Sequence, residues 1–433
     1  MRKISNAQAL PTRKAVRQNN QSEFKRRVKQ FALVAGPGIA VMLADTDAGS
    51  LITAAQSGAQ WGYTLLSAQI ILIPIVFIAQ ELTVRLGLVT GKGHGELIKE
   101  TFGKGWAWFS VTTLSIACAG AIVSEMSGIS GVGELWGIPS WISTGAVALF
   151  LIVMVVTGSY KRVERVAIGI GLFELVFLIT MFMAKPQKDQ IAAGLSDIPI
   201  HNSSYVFLIA ANIGAVIMPW MIFYQQSAVV DKGLTVKHLK EARADTAFGA
   251  IVTQTIMAAM LITCASALWA TNQKSVQLNT VQDIATAITP HLGEFGGKVL
   301  FSLGMIGASL IAAIVASLTA AWGIGEVSGY KRSLEHKPSQ APAFYAVFSL
   351  AVIFGFILVE THINIILLNL FVQVMNALLL PIVLGFLFLL ALKSLPEEYK
   401  LKGWYAWFVG AVIVITAGFG VYCGIAGIAG GGS

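Results

Sequence analysis

Two carboxylates, Asp45 and Asp47, lie two residues apart inside a run of apolar and small residues. A carboxylate in such a setting is costly unless it faces a cavity, a cation or a partner. Charged oxygen ligands suit a hard divalent ion; Mg²⁺ in particular is usually held by one or two carboxylates while keeping several waters. The run reads Ala44-Asp45-Thr46-Asp47-Ala48-Gly49-Ser50 and follows Gly36-Pro37-Gly38. A second segment, Ala211-Asn212-Ile213-Gly214-Ala215-Val216-Ile217-Met218-Pro219-Trp220, places a proline and small residues within another apolar stretch. Both read as helices broken near their middle. Unwound backbone at bilayer depth is tolerated only where it lines a cavity, and the carbonyls and half-helix C-terminal ends exposed at such breaks favour a cation.

The elements that hold these breaks are membrane helices. Of 433 residues, 55% are hydrophobic and 12% charged, too apolar for water, where about a quarter of residues are usually charged. Apolar stretches of about 20 residues, the length that crosses the hydrocarbon core as a helix, fall at 31–56, 62–87, 106–133, 139–158, 164–184, 204–229, 244–269, 297–325, 342–360, 363–391 and 405–428. The fold class is therefore all-α membrane protein, with a tail over 1–30 and one transmembrane domain over 31–433. The tail is polar and basic and lacks the apolar core of a signal peptide. With that tail cytoplasmic, all but four of the 30 lysines and arginines fall on the inner side, the exceptions being Lys185, Lys188, Lys274 and Lys298. Such asymmetry is what cytoplasmic loops produce. It predicts a multi-pass protein of the cell (inner or plasma) membrane with a cytoplasmic N-terminus. The net charge of +8 then faces anionic lipid and points away from nucleic acid.

Other chemistries find little support. Cys118, Cys264 and Cys423 lie in apolar spans without metal-ligand spacing, and all six histidines fall in loops or at span ends, which argues against an intramembrane metalloprotease and a histidine proton relay. No glycine-rich phosphate loop occurs. The expectation is a transporter, not an enzyme, with no resident cofactor. Its partners would be the ion it carries and the lipid bilayer, with no obligatory protein partner evident.

The broken spans are the first and the sixth. They are five helices apart, an odd number, so residues 31–184 and 204–391 would be inverted repeats, with 405–428 an extra helix. Transporters built this way place substrate between two discontinuous helices in corresponding positions.

The run from Gly36-Pro37-Gly38 through Asp47-Ala48-Gly49-Ser50, followed by Gln56-Ser57-Gly58-Ala59-Gln60-Trp61-Gly62-Tyr63, resembles the NRAMP divalent-metal transporters. Their first-helix signature is Asp-Pro-Gly-Asn with a similar Gly-Ala-Gln-aromatic-Gly-Tyr stretch after it. Further matches are Gly87 to Lys92, Gly137-Ile138-Pro139, Met218-Pro219 and Arg243-Ala244-Asp245-Thr246. The resemblance covers most of the chain and implies a LeuT-like inverted repeat of five plus five helices with an eleventh. It also implies that the backbone carbonyls of Ala44 and Ala215 donate oxygens to the ion. Three departures matter: Ser50 replaces the family's asparagine, Trp220 replaces a histidine after Met-Pro, and Ile122 stands where an aspartate precedes Glu125. This combination is similar to the NRAMP-related magnesium transporters, a prokaryotic branch that moves hydrated Mg²⁺ without proton coupling.

The expected metal site comprises Asp47, Ser50, Ala44, Ala215, Met218, Asp45 and Gln373. Each has a plainer alternative. Asp47 can cap the second half-helix, Ser50 can bond back to a helix carbonyl, and Asp45 converges with Asp47 only if the backbone is unwound. Met218 can be a core methionine or a soft ligand, which would favour Mn²⁺ over Mg²⁺. Gln373 can be an amide ligand or bond a neighbouring helix. Glu125 suits a structural or access role, and Glu81 and Glu174 suit interhelical contacts. The expected function is uptake of partly hydrated Mg²⁺, and also Mn²⁺, by alternating access without protons. The alternatives are a proton-coupled Mn²⁺/Fe²⁺ symporter and, from another class, a divalent cation channel.

Overall fold

A computed structural model describes residues 36–271, 276–361 and 364–429; the expected tail over 1–30 lies outside the described residues. Helix α1 (Pro37–Asp45) opens with Pro37 in its first turn, where a missing N–H costs nothing. Gly36-Pro37-Gly38 therefore starts the helix and does not break it, and the break falls at Thr46-Asp47. Helix α2 (Ala48–Trp61) follows at a 47° bend. It ends at Gly62, whose φ of 60° lies in the left-handed region that glycine enters readily.

Then come α3 (Leu66–Thr90), the short α4 (His94–Phe102), α5 (Lys104–Leu135) and α6 (Ser140–Thr157). The fifth span is α7 (Tyr160–Gly171) and α8 (Val176–Met183), joined by a 3₁₀ segment, Leu172–Leu175. After a short α9 (Lys188–Ser196), the sixth span divides into α10 (Ser203–Val216) and α11 (Pro219–Asp231). The remainder is α12 (Leu239–Cys264), α13 (Val281–Leu292), α14 (Glu294–Ser328), α15 (Pro342–Val359), α16 (Ile365–Lys393) and α17 (Gly403–Ala429). Counting α1 with α2 as one, eleven segments among the described residues are long and apolar enough to cross a membrane, and these residues form helices without strands. The all-helical expectation holds. The short helices α4, α9 and α13 are additions, because their apolar faces are too brief to register as spans.

Burial separates the two broken spans from their surroundings. Every described α2 residue from Ala48 to Ala59 is buried, as is α10 from Tyr205 onward. The outer faces of α6, α15 and α17 expose Leu149, Leu350, Trp407 and Val414, as lipid-facing helices must.

Polar ties bind the half of the molecule nearest the α1 N-terminus. Asp245 on α12 accepts the backbone N–H of Gly38 at 2.8 Å and of Gly36 at 3.3 Å, satisfying amides that a helix start leaves open. Lys232 pairs with Glu164 at 3.1 Å. Glu326 on α14 accepts the Gly95 amide at 2.8 Å and the Ser227 hydroxyl at 2.5 Å. His94 is buried against Phe223, and its Nδ1 lies 2.9 Å from Gln226 Oε1; burial pushes its imidazole down to about 4.

Candidate metal site

The two breaks free carbonyl oxygens by two different routes. In an unbroken helix the Ala48 amide would donate to the Ala44 carbonyl. Instead it donates to Glu125 Oε2 on α5 at 3.1 Å. At the second break, the residue four places after Ala215 is Pro219, which has no N–H to donate. The Ala215 carbonyl accepts the Ser50 hydroxyl at 2.9 Å, and a carbonyl oxygen has a second lone pair. The two breaks are thus stitched to one another through Ser50.

Asp47 sits at the first break as the N-cap of α2. Its Oδ1 accepts the Ser50 amide at 2.6 Å, and Gln373 Nε2 on α16 approaches that oxygen at 3.4 Å. Its Oδ2 is buried and receives no donor, and the Glu125 carboxyl lies within hydrogen-bonding reach of the Asp47 carboxylate. Capping and ligation are therefore compatible, since each uses a different oxygen. The positive end of α2 also lies beside the carboxylate.

Around this point the amides are ordered. Asn376 donates to Gln373 Oε1 at 2.9 Å, which orients the Gln373 amide. Asn369 donates to the Ser127 hydroxyl at 2.8 Å and accepts from Ser124. Gly49 permits the approach, because a methyl there would strike Gln373 Nε2 and the Ser124 hydroxyl. Asn212 donates to Ser57 at 2.9 Å and accepts from Gln69 at 2.5 Å, tying α10 to α2 and α3. These networks are visible in the sequence only as isolated polar residues in apolar runs.

The other expected residues fall as follows. Met218 is buried at the α11 N-cap in extended conformation. Trp220 is buried, with its indole N–H unpartnered, and Ile122 is buried on α5. Asp45 reaches α12, where the Thr253 hydroxyl donates to its Oδ2 at 3.4 Å. Among the described residues no three His, Cys, Asp or Glu side chains converge as a metal cage. The chemistry on offer at Asp47 is a carboxylate among neutral oxygens, with the Glu125 carboxyl beside it at the same break.

Beyond α2, at the end opposite the α1 N-terminus, lies a cavity of about 350 Å³ lined by Gln56, Gln60, Gln277, Asn279 and Asn364. Gln56 is nine residues past Asp47, about 13 Å along a helix. Asp47 itself is fully buried.

Residues 38–426 match the family model described as Natural resistance-associated macrophage protein-like, Nramp. The chain belongs to the Nramp family. It is 27% identical to the divalent metal cation transporter MntH of Pectobacterium carotovorum over 304 residues, 69% of this chain and 72% of that protein. Against MntH of Klebsiella pneumoniae the identity is 28% over 311 residues, 70% and 73% of the two chains. Among solved structures, an Eremococcus coleocola manganese transporter superposes with a TM-score of 0.73 at 18% identity, covering 92% of this chain and 87% of the other. A Na⁺-coupled sialic acid symporter superposes at 0.59 with 14% identity, covering 92% and 90%. The fold is thus the LeuT-like one of Nramp proteins, and the bent pair α1–α2 and the divided α10–α11 are its two discontinuous helices.

Proposed function

We propose that this Nramp chain carries divalent metal ions, taking up partly hydrated Mg²⁺, and also Mn²⁺, by alternating access without moving protons. One observation supports it above the rest: the fully buried Asp47 Oδ2, which receives no donor, at a break where the Ala44 carbonyl has lost its helical donor. A buried lone carboxylate oxygen is expensive, and a cation there removes the cost. Asp47, the two carbonyls and the Ser50 hydroxyl offer hard ligands, while Gln373 turns its amide N–H toward Asp47 and its oxygen toward Asn376. Where Ser50 is shorter than an asparagine, water fills the gap, which suits an ion that sheds its water reluctantly. Met218 adds a soft donor at the break for Mn²⁺.

Proton coupling needs groups that change protonation as the carrier reorients. Trp220 and Ile122 offer none. The rival reading, a proton-coupled Mn²⁺/Fe²⁺ symporter, draws on Glu125, whose Oε1 is buried without a partner. The two part company in liposomes loaded with a pH dye. Saturable Mg²⁺ and Mn²⁺ uptake without internal acidification is the expected result. Stoichiometric acidification, abolished by Glu125→Gln, would return the protein to the proton-coupled carriers, and flux that does not saturate would favour a channel.

A further inference from the structure

Asp45 and Asp47 have different hydrogen-bond partners. The Asp45 Oδ2 faces the Thr253 hydroxyl of α12 and its Oδ1 is buried with no partner. Thr253 Oγ1 in turn lies 2.7 Å from Thr46 Oγ1. A group from a third element is aimed at the same spot. Glu174 lies on the 3₁₀ segment Leu172–Leu175, is 0% exposed, and has hydrogen-bond partners on neither carboxylate oxygen. It faces the Thr46 hydroxyl, and the carboxylates of Asp47 and Asp45 act on it; among the described residues neither Asp45 nor Glu174 forms an ion pair. An interhelical contact, the role its sequence position suggests, would give Glu174 a donor. It has none. Nor does either carboxylate have a paired counter-charge among those residues, the arrangement that buried charges require.

We propose that Asp45, Glu174, Thr46 and Thr253 form a second cation site, between α1, the α7–α8 span and α12, that takes a small hard cation alongside the cargo at Asp47. The donors are two carboxylates and two hydroxyls, an all-oxygen set suited to Mg²⁺, Mn²⁺ or Na⁺ and unsuited to soft ions. The tightened 3₁₀ turn places Glu174 against the first break; such mid-helix segments often mark hinges. A cation here would link α1 to the fifth span and to α12 at the point where the first span bends. The occupant is either a second divalent ion in transit or an alkali cation bound alongside it, and binding counts separate these.

The inference rests on Asp47 as the cargo site, and the test keeps the two apart. Purified full-length protein, Glu174→Gln and Asp47→Asn are compared in two binding assays. One counts bound Mn²⁺ from the loss of free Mn²⁺ signal in electron paramagnetic resonance, and the other counts bound radioactive Na⁺. The wild type should bind one cation more than Glu174→Gln in one of the two assays: Mn²⁺ if the site serves the cargo, Na⁺ if it serves a companion ion. Asp47→Asn should lose a different Mn²⁺. Equal counts for wild type and Glu174→Gln in both assays overturn the second site. An unchanged Mn²⁺ count in Asp47→Asn overturns the cargo site instead. Thr253→Val, which keeps the side-chain shape and deletes one donor, should lower affinity for the same cation at least several-fold, and serves if Glu174→Gln fails to fold.

Discussion

One oxygen of Asp47 accepts the Ser50 amide and the other receives no donor, so substitutions can separate capping from charge. Asp47→Ala loses both, and the lost cap alone costs about 0.5–2 kcal/mol of stability. Asp47→Asn keeps an acceptor for the amide and deletes the charge. Both should reduce Mg²⁺ flux in liposomes to background while eluting as folded protein, and Asn should be the more stable. Near-normal flux from Asp47→Asn would remove Asp47 from the ion path. Ser50 tests the space beside it. Ser50→Asn should shift competition toward Mn²⁺ by about 1–2 kcal/mol, the scale of exchanging one ordered water for a protein ligand. A gain for Mg²⁺ at the expense of Mn²⁺ would mean that no water-filled gap exists there.

Helices α10 and α16 meet at Gly214, where an added methyl would land on the Gln373 carbonyl oxygen and crowd the Ala377 amide. The collision is with backbone, which cannot step aside. Gly214→Ala should therefore cost about 1–3 kcal/mol, seen as a lowered unfolding midpoint in detergent, together with slower transport because Gln373 is displaced. An unchanged midpoint would show that the helices can separate freely. Between α4 and α11 the relevant pair is His94 and Gln226. The imidazole titrates near 4 in the fold and near 6.5 when unfolded. The unfolded chain thus takes up the proton first, so stability is full above about pH 6.5 and declines as pH falls toward 4, by roughly 3 kcal/mol in all. His94→Gln should flatten that part of the pH profile of thermal unfolding. The sequence announces the spans by apolar length and the breaks by Asp47 and Met218-Pro219, and Pro219 even identifies which carbonyl is freed, since it stands four residues after Ala215. It misplaces the role of Gly36-Pro37-Gly38, because a proline looks alike at a helix start and in a helix break. It is silent on the meeting of Asp45, Glu174 and Thr253, which depends on how three distant spans rotate about their axes.

At the scale of the whole molecule, the proposed carrier runs on charge. A divalent ion falling through 100 mV gains about 4.6 kcal/mol, twice the figure for one charge. With the α1 end inside, as the distribution of lysine and arginine implies, uptake of Mg²⁺ into liposomes should accelerate when a K⁺ gradient with valinomycin makes the interior negative. An imposed pH gradient at zero potential should drive no accumulation; if it does, protons are coupled after all. The cavity beyond α2 bears on the same journey. Its lining amides, Gln56, Gln60, Gln277, Asn279 and Asn364, sit among apolar residues such as Phe207 and Leu370, with no carboxylate among the described lining residues to concentrate cations from a distance. Focusing by fixed charge can raise capture rates by orders of magnitude and fades as ionic strength climbs. An entrance of neutral dipoles gives up that gain and is freed from the penalty. Such a mouth would collect ions at an ordinary diffusive pace, treating brackish and dilute surroundings nearly alike, and would leave all choice among ions to the buried oxygens beneath it.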